Sequence, residues 1–239
     1  MSSHRKYDLG MSKSKFGIVI PCFNEAGNLP NLIRECDFIT QQGLFEIVLV
    51  NNGSSDNSQA ILEKVRNPKI RVINLIQNVG YGGGILTGLR ELRTEYVGWI
   101  HADLQTDLRD SLIGLENLEF DYFKGIRLGR TKAERLFSAG MGITCSILFR
   151  TWLVEINAQP TIMKKELYDS WLNPPLDFSL DLYSLLVAKK GKVTILRSKL
   201  HFSKRTSGQS TWNFGLKSRM RMTSRTLRYA LSLLRVGVK

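Results

Sequence analysis

The stretch Phe16-Gly17-Ile18-Val19-Ile20-Pro21-Cys22-Phe23-Asn24-Glu25 decides the fold. Its first five residues carry no charge and no hydrogen-bonding side chain. A half-exposed strand alternates apolar with polar residues. An unbroken apolar run fits a parallel strand buried on both faces. Pro21 ends the run, and Asn24 and Glu25 put polar groups at its C-terminal end.

Similar runs recur downstream. Asn28 is placed to cap a helix through about Thr40, with Leu29, Leu32, Ile33 and Cys36 on one face. Residues 46–50 read as a second strand. The turn-forming run Asn51-Asn52-Gly53-Ser54-Ser55-Asp56 follows, then a helix over 58–65. Residues 70–74 are a third strand. Asn78-Val79-Gly80-Tyr81-Gly82-Gly83-Gly84 leads into a helix through about Arg93, and 96–100 is a fourth strand. Four alternations of strand and helix predict an α/β fold with a doubly wound, mostly parallel sheet flanked by helices. Right-handed crossovers gather the strand C-terminal ends on one edge, where ligands bind in such folds. That edge collects Asn24, Glu25, Asn52, Ser54, Gly80, His101 and Asp103.

Asp103 and Gln105 stand two residues apart just past the fourth strand. In an extended segment such side chains point to one side. They are a candidate oxygen pair for Mg²⁺ or Mn²⁺, which share such ligands with substrate phosphates. A solvated turn is the plain alternative. The glycine cluster is no dinucleotide fingerprint, which wants G-x-G-x-x-G straight after the first strand. From Gly80, the place of the third glycine is taken by Ile85. There is no phosphate-loop pattern ending in Lys-Ser or Lys-Thr either. Two readings remain open: a helix start where backbone approaches a ligand, or close helix packing.

Beyond Asp107 the pattern loosens. Residues 108–118 read as a helix, and 120–127 as a strand running into a loop. Arg127, Arg130, Arg135 and Ser138 follow closely. Residues 139–150, apolar and rich in small side chains, read as a buried core helix. Residues 157–163 are an extended piece near the site. Pro174-Pro175 breaks the chain before a helix over 178–188, where Asp181 is a lone carboxylate amid apolar residues. Residues 192–197 are a last strand and 201–210 a polar, basic loop.

With 239 residues the chain is long enough for one large α/β domain. Cys22, Cys36 and Cys145 are spaced for neither a metal cluster nor a disulfide framework, which points to a reducing, cytoplasmic setting. No run of about 18 apolar residues occurs, so nothing reads as a membrane span. Residues 1–14 read as a flexible leader and not a signal peptide. The net charge of +13 is unevenly placed. Fourteen Lys and Arg and no Asp or Glu follow Asp181, so the first 181 residues hold 20 basic against 21 acidic groups. Within the tail, Leu216, Met220, Thr223, Leu227, Ala230, Leu231 and Leu234 share a helical face. Lys217, Arg221, Arg225, Arg228 and Arg235 flank it. A basic amphipathic helix over 211–239 suits an anionic membrane surface. Packing on the domain is the alternative. Nucleic acid is disfavoured, because past Phe214 only Tyr229 offers a stacking ring.

Six pieces carry a resemblance. They are Val19-Ile20-Pro21-Cys22-Phe23-Asn24-Glu25, Val48-Leu49-Val50-Asn51-Asn52-Gly53-Ser54-Ser55-Asp56, Asn78-Val79-Gly80-Tyr81-Gly82-Gly83-Gly84-Ile85, Ala102-Asp103-Leu104-Gln105, Gly125-Ile126-Arg127, and the Arg205-x-x-Gly-x-Ser210 loop. In this order they resemble the family 2 glycosyltransferases of GT-A fold. Within these, the dolichol-phosphate mannosyltransferase-like and bacterial surface-polysaccharide branches are the most similar. The resemblance implies a GT-A domain over 15–210, with a nucleotide-binding half (15–107) and an acceptor half (108–210). It implies a metal-dependent inverting enzyme that moves a sugar from a nucleotide-sugar donor to a membrane-associated acceptor, a polyprenyl phosphate or a lipid-linked or surface glycan. Pro21, Asn24, Glu25, Asn52 and Ser54 would line the nucleotide pocket, with Gly80 and His101 beside it. Asp103 and Gln105 would hold Mg²⁺ or Mn²⁺ on the diphosphate. Arg127, Arg135, Ser138, Arg205 and Ser210 would meet donor or acceptor phosphates. Asp103, Arg127 and Asp181 are the expected catalytic residues, Asp181 as base where the acceptor is a hydroxyl. The protein is expected to be cytoplasmic, peripheral at the inner face of the membrane, with an oligomer left open.

The chain also departs from the family. Asn51-Asn52 stands where Asp-Asp is usual, and His101 stands where an acid or Gln is usual. These changes keep a non-catalytic nucleotide-sugar-binding module as a rival. A nucleotidyltransferase would want a glycine- and basic-rich loop straight after the first strand, which is lacking. A nucleic-acid-binding protein would show steeply salt-dependent binding of duplex.

Overall fold

A computed structural model describes residues 14–203, 224 and 227–233. In its first half β1 (Phe16–Cys22), α1 (Leu29–Gln41), β2 (Phe45–Asn52), α2 (Ser58–Leu62), β3 (Ile70–Leu75), α3 (Tyr81–Glu91) and β4 (Tyr96–Trp99) alternate as expected. Then come α4 (Leu108–Leu112), β5 (Tyr122–Leu128), α5 (Lys132–Phe149), β6 (Thr161–Lys164), α6 (Lys165–Asp169), α7 (Leu180–Lys190) and β7 (Ile195–His201). Among the described residues the strands form one sheet in the order β3-β2-β1-β4-β6-β5-β7. There β6 runs antiparallel to both neighbours, and every other pairing is parallel. The mostly parallel, helix-flanked sheet read from the sequence is the one present.

The continuous apolar runs have a simple cause: each central strand feeds two cores. Phe16, Ile18 and Ile20 of β1 and Phe45, Ile47 and Leu49 of β2 pack with Leu29, Leu32 and Cys36 of α1. The alternate residues Val19, Val48 and Val50 belong to the other core, with Ile85, Leu86 and Leu89 of α3 and Leu182, Leu185 and Leu186 of α7. Successive side chains of a strand point to opposite faces, so both faces must be apolar.

Several local expectations give way. Asn28 stands at the N-cap of α1, but its side chain makes no cap. Its amide donates to Glu25 Oε2 at 2.6 Å instead. The helix expected over 108–118 is interrupted: Gly114, at φ 86°, separates α4 from a 3₁₀ turn at Leu115–Asn117. The stretch over 139–150 is helical, but it is no buried core helix. Within α5, Gly142 and Cys145 are the buried residues, while Leu136, Ile143 and Ile147 are exposed. A Cβ on Gly142 would stand 2.7 Å from Leu153 O, so α5 meets the domain along a narrow strip. Small side chains there reflect that close seat and not burial all round.

Residues 227–233 are helical. Tyr229, Ala230 and Leu233 pack on the α3–α7 core, and Ala230 is fully buried. For these residues packing on the domain is what is observed. Residues 1–13 of the leader and the rest of the tail, with Lys217, Arg221, Arg225 and Arg235, lie outside the described residues. No helix among the described residues is long and apolar enough to cross a membrane.

Candidate active site

The edge where strand ends gather holds a cavity of about 650 Å³, in the range of small-molecule sites. Pro21, Cys22, Phe23 and Glu25 line it from β1 and its exit. Asn52 comes from β2, Asn78, Gly80 and Tyr81 from the start of α3, and His101, Asp103 and Gln105 from beyond β4. The later part of the chain supplies Arg127, Asn157, Gln159, Asp177, Phe178, Asp181 and Phe202. Pro21, Glu25, Asn52, Gly80, His101, Asp103, Gln105, Arg127 and Asp181 are thus brought together around one cavity.

Other expected residues are placed elsewhere. Asn24 and Ser54 do not line the cavity. They brace neighbouring loops: Asn24 N donates to Ser54 Oγ at 3.0 Å, and Ser55 N donates to Asn24 Oδ1 at 2.8 Å. Arg135 is exposed on α5, and Ser138 accepts from Arg130 Nη2 at 2.5 Å. Arg205 and Ser210 lie outside the described residues. Asn51 and Asn52, which stand where the resemblance implies carboxylates, also brace loops. Asn51 Nδ2 donates to Asn74 Oδ1 at 3.0 Å. Asn52 Nδ2 donates to Gly80 O at 2.9 Å, and Asn52 Oδ1 accepts from Val79 N at 3.1 Å. Amides can donate and accept at once, so they tie β2 to β3 and α3 without bringing charge.

Packing explains most of the glycine cluster. A Cβ on Gly82 would stand 2.4 Å from Pro175 O, and Gly83 N donates to Leu176 O at 3.0 Å. The chain after Pro174-Pro175 lies across the start of α3 and carries Asp177 and Phe178 to the cavity. Gly82→Ala should therefore push this loop away, lowering stability by about 1–3 kcal/mol in a urea titration. An unchanged unfolding midpoint would contradict this packing.

Asp103 and Gln105 reach the cavity by another route than the one expected. β4 ends at Trp99, and residues 102–106 form a turn in which Leu104 has φ 55°. The two are therefore not i and i+2 of a strand. Left-handed backbone at a branched residue costs on the order of 1–3 kcal/mol and persists where the surroundings over-determine it. Here Asp103 Oδ1 accepts from Gln105 N at 3.2 Å. Gln105 is clamped to Ser203 on both sides, by Ser203 N to Gln105 O at 2.7 Å and Gln105 Nε2 to Ser203 O at 3.1 Å.

Three groups of the site were not read from the sequence. Tyr81 stacks on Phe178, with centroids 4.4 Å apart, and on His101 at 5.4 Å. Its hydroxyl donates to Asp181 Oδ2 at 3.2 Å and accepts from Gln159 Nε2 at 3.0 Å. Burial, then the Asp181 charge, holds this phenol well above its usual range. Behind Asp181 lies Lys124, fully buried. Its Nζ donates to Thr161 Oγ1 at 2.8 Å and meets Asp181 Oδ1 at 3.4 Å. Burial pulls the ammonium down to about 8 against the attraction of Asp181. Third, Glu155 accepts from Arg127 Nε at 2.8 Å and from Arg130 Nη1 at 3.4 Å. Two of these left signals. A lysine inside Tyr122-Phe123-Lys124-Gly125-Ile126 demands a buried partner, and Tyr81 is the one large side chain between Gly80 and Gly84. Nothing local marks Glu155.

Comparison with known proteins agrees with this geometry. Residues 17–139 match the family model described as glycosyl transferase family 2. An undecaprenyl-phosphate 4-deoxy-4-formamido-L-arabinose transferase of Yersinia enterocolitica serotype O:8 / biotype 1B is 38% identical over 98 residues, 38% of this chain and 29% of that protein. Its counterpart in Yersinia pestis bv. Antiqua (strain Angola) is 33% identical over 125 residues, 48% of this chain and 38% of that protein. The chain thus spans well under half the length of these curated relatives. Among solved structures, glucosyl-3-phosphoglycerate synthase from Mycobacterium tuberculosis, in complex with Mn²⁺, uridine diphosphate and glucosyl-3-phosphoglycerate, aligns with a TM-score of 0.70 at 16% identity. The alignment covers 95% of this chain and 81% of that one. Mannosyl-3-phosphoglycerate synthase from Rubrobacter xylanophilus aligns at 0.70 and 18% identity, over 94% and 75% of the two chains. At these identities the likeness establishes the GT-A fold alone. The family match spans more than half of the chain and includes β1, the β2 exit, the start of α3 and the Asp103 turn: the chain belongs to glycosyl transferase family 2.

Proposed function

We propose that the protein is a metal-dependent inverting glycosyltransferase that moves a sugar from a nucleotide-sugar donor to a polyprenyl phosphate. The observation that carries this is the charge pattern of one cavity. Arg127 lines it together with the carboxylates Glu25, Asp103, Asp177 and Asp181, the last of which is already paired with Lys124.

Asp103 and Gln105 fit a Mg²⁺ or Mn²⁺ ion. They offer a carboxylate and an amide oxygen, a partial oxygen set of the kind such ions complete with substrate phosphate and water. When bound, the ion would neutralise the departing nucleoside diphosphate. The chain's own residues do the rest. Pro21, Glu25 and Asn52 take the nucleoside end, and His101, stacked on Tyr81, borders the donor. Arg127 offers guanidinium N–H groups to phosphate. A polyprenyl phosphate is already an anion, so its oxygen attacks the anomeric carbon with no proton to remove. A sugar hydroxyl would need a base, and Asp181 would have to act while held by Lys124, Gln159 and Tyr81. The names of the Yersinia relatives support the lipid-phosphate acceptor, and the Mn²⁺ and uridine diphosphate of the solved neighbour support the donor side. The exposed apolar residues of α5, with Arg135 beside them, and the basic tail suit peripheral contact at the inner face of a membrane.

The test pairs a panel of nucleotide sugars and Mn²⁺ with farnesyl phosphate or with an octyl glycoside as acceptor. Sugar should appear on farnesyl phosphate, faster than on the glycoside. Transfer to the glycoside alone would overturn the acceptor assignment.

A further inference from the structure

We propose that Glu155 is a positioning residue for the acceptor phosphate: it holds Arg127 by one edge so that the rest of the guanidinium serves the cavity. This rests on the glycosyltransferase reading above. Arg127 lines the cavity, and its Nε is engaged by Glu155 Oε2 at 2.8 Å. A guanidinium held at Nε keeps its terminal nitrogens for a bidentate contact, a geometry that matches phosphate oxygens. Glu155 Oε1 accepts from Arg130 Nη1 at 3.4 Å. Arg130 Nη2 in turn donates to the Glu134 carbonyl at 2.8 Å and to Ser138 Oγ at 2.5 Å. Glu155 therefore links the cavity arginine on β5 to the first turns of α5.

Two further observations support this placement. Glu155 has φ 49°, a left-handed conformation that a residue with a side chain rarely adopts. Its loop is pinned there by Arg197 Nη1 to Val154 O and by Ala158 N to Glu155 O, both at 3.0 Å. Such conformations persist where the surroundings enforce them, often beside ligand sites. The second observation is charge. Arg127, Arg130 and Arg197 lie around this one carboxylate. Among these four groups two positive charges are left over. A phosphate monoester carries about −1.5 to −2 at neutral pH and would balance them. A sugar hydroxyl would not.

The experiment compares wild type, Glu155→Ala and Glu155→Gln, with farnesyl phosphate as acceptor and the best nucleotide sugar of the panel as donor. Glu155→Ala loses the hydrogen-bond acceptor and should raise the KM for farnesyl phosphate about tenfold, with the donor KM unchanged. Glu155→Gln keeps an oxygen for Arg127 Nε and should bring that KM back to within about twofold of wild type. A purely structural role would lower the melting temperature and the active fraction without moving the acceptor KM. That result, an acceptor KM that falls in both variants, or a change confined to the donor KM, would overturn the inference. Binding of farnesyl phosphate and of farnesol, measured by calorimetry on the same three proteins, separates the two levels. Phosphate-selective binding that weakens in Glu155→Ala without any turnover would support the role of Glu155 and sink the transferase reading. Equal binding by all three proteins would sink the role of Glu155 alone.

Discussion

Asp103→Ala should lower kcat for sugar transfer by at least about 10³-fold, the scale on which preorganised charge at a leaving group acts. Asp103 supplies the carboxylate of the proposed cation pair, beside the Gln105 amide. Asp103→Asn should lose nearly as much. An Asn oxygen still accepts from Gln105 N, as Asp103 Oδ1 does at 3.2 Å, but it brings no charge to a divalent ion. The turn itself should survive, because Gln105 is clamped to Ser203 independently of Asp103. Circular dichroism and the melting temperature should therefore stay close to wild type. Chelation of wild type should reproduce the loss, and added Mn²⁺ should rescue wild type but not the variant. Full turnover of Asp103→Ala in metal-free buffer would remove both the residue and the ion from the mechanism.

Lys124→Met should cost about 3–5 kcal/mol of stability, because it leaves a buried carboxylate without its counter-charge. The pair is buried on both sides, with side-chain exposures of 0% and 1%. Replacing both partners with apolar residues is a different matter, since neither charge is then stranded. Lys124→Met with Asp181→Leu should recover most of the loss, and the cycle should show strong coupling. Urea titrations of the four proteins measure this directly; additive losses would mean that the pair is not coupled. The same lysine gives a pH signature. Burial depresses its folded value to about 8 from an ordinary 10.5. Below about pH 8 both states hold the proton, and its contribution is flat. Between there and 10.5 the unfolded chain binds more protons than the folded one, so stability from this group rises with pH. Lys124→Met should lack that rise.

The parts of this structure that could be read from sequence are those governed by short periods. The apolar runs at β1 and β2 feed two cores, and a strand covered on both faces is what an unbroken apolar run fits. The cluster of polar strand ends followed from topology once the strands were placed. Asp103 and Gln105, expected near this edge from the strand order, line the cavity, as do Arg127 and Asp181, which only the resemblance had pointed to. What escaped depended on tertiary contacts. Asn24 and Ser54 sit at strand ends, yet each satisfies the other's loop before any ligand does. The turn at Leu104 is left-handed, which a leucine does not advertise. Composition misled at α5, where Gly142 marks a close seat on Leu153 and its exposed neighbours mimic a core. Glu155 reaches Arg127 across 28 positions of sequence, and only the folded loop brings them together.

The decisive assay follows nucleoside diphosphate released by wild-type protein from a panel of nucleotide sugars, with Mn²⁺ and farnesyl phosphate each present or omitted. Release should occur with one donor class, and only when both the ion and the phosphate acceptor are present. A donor that binds, raising the melting temperature by mass action, yet is never cleaved under any of these conditions would mean that this cavity holds nucleotide sugars without transferring them.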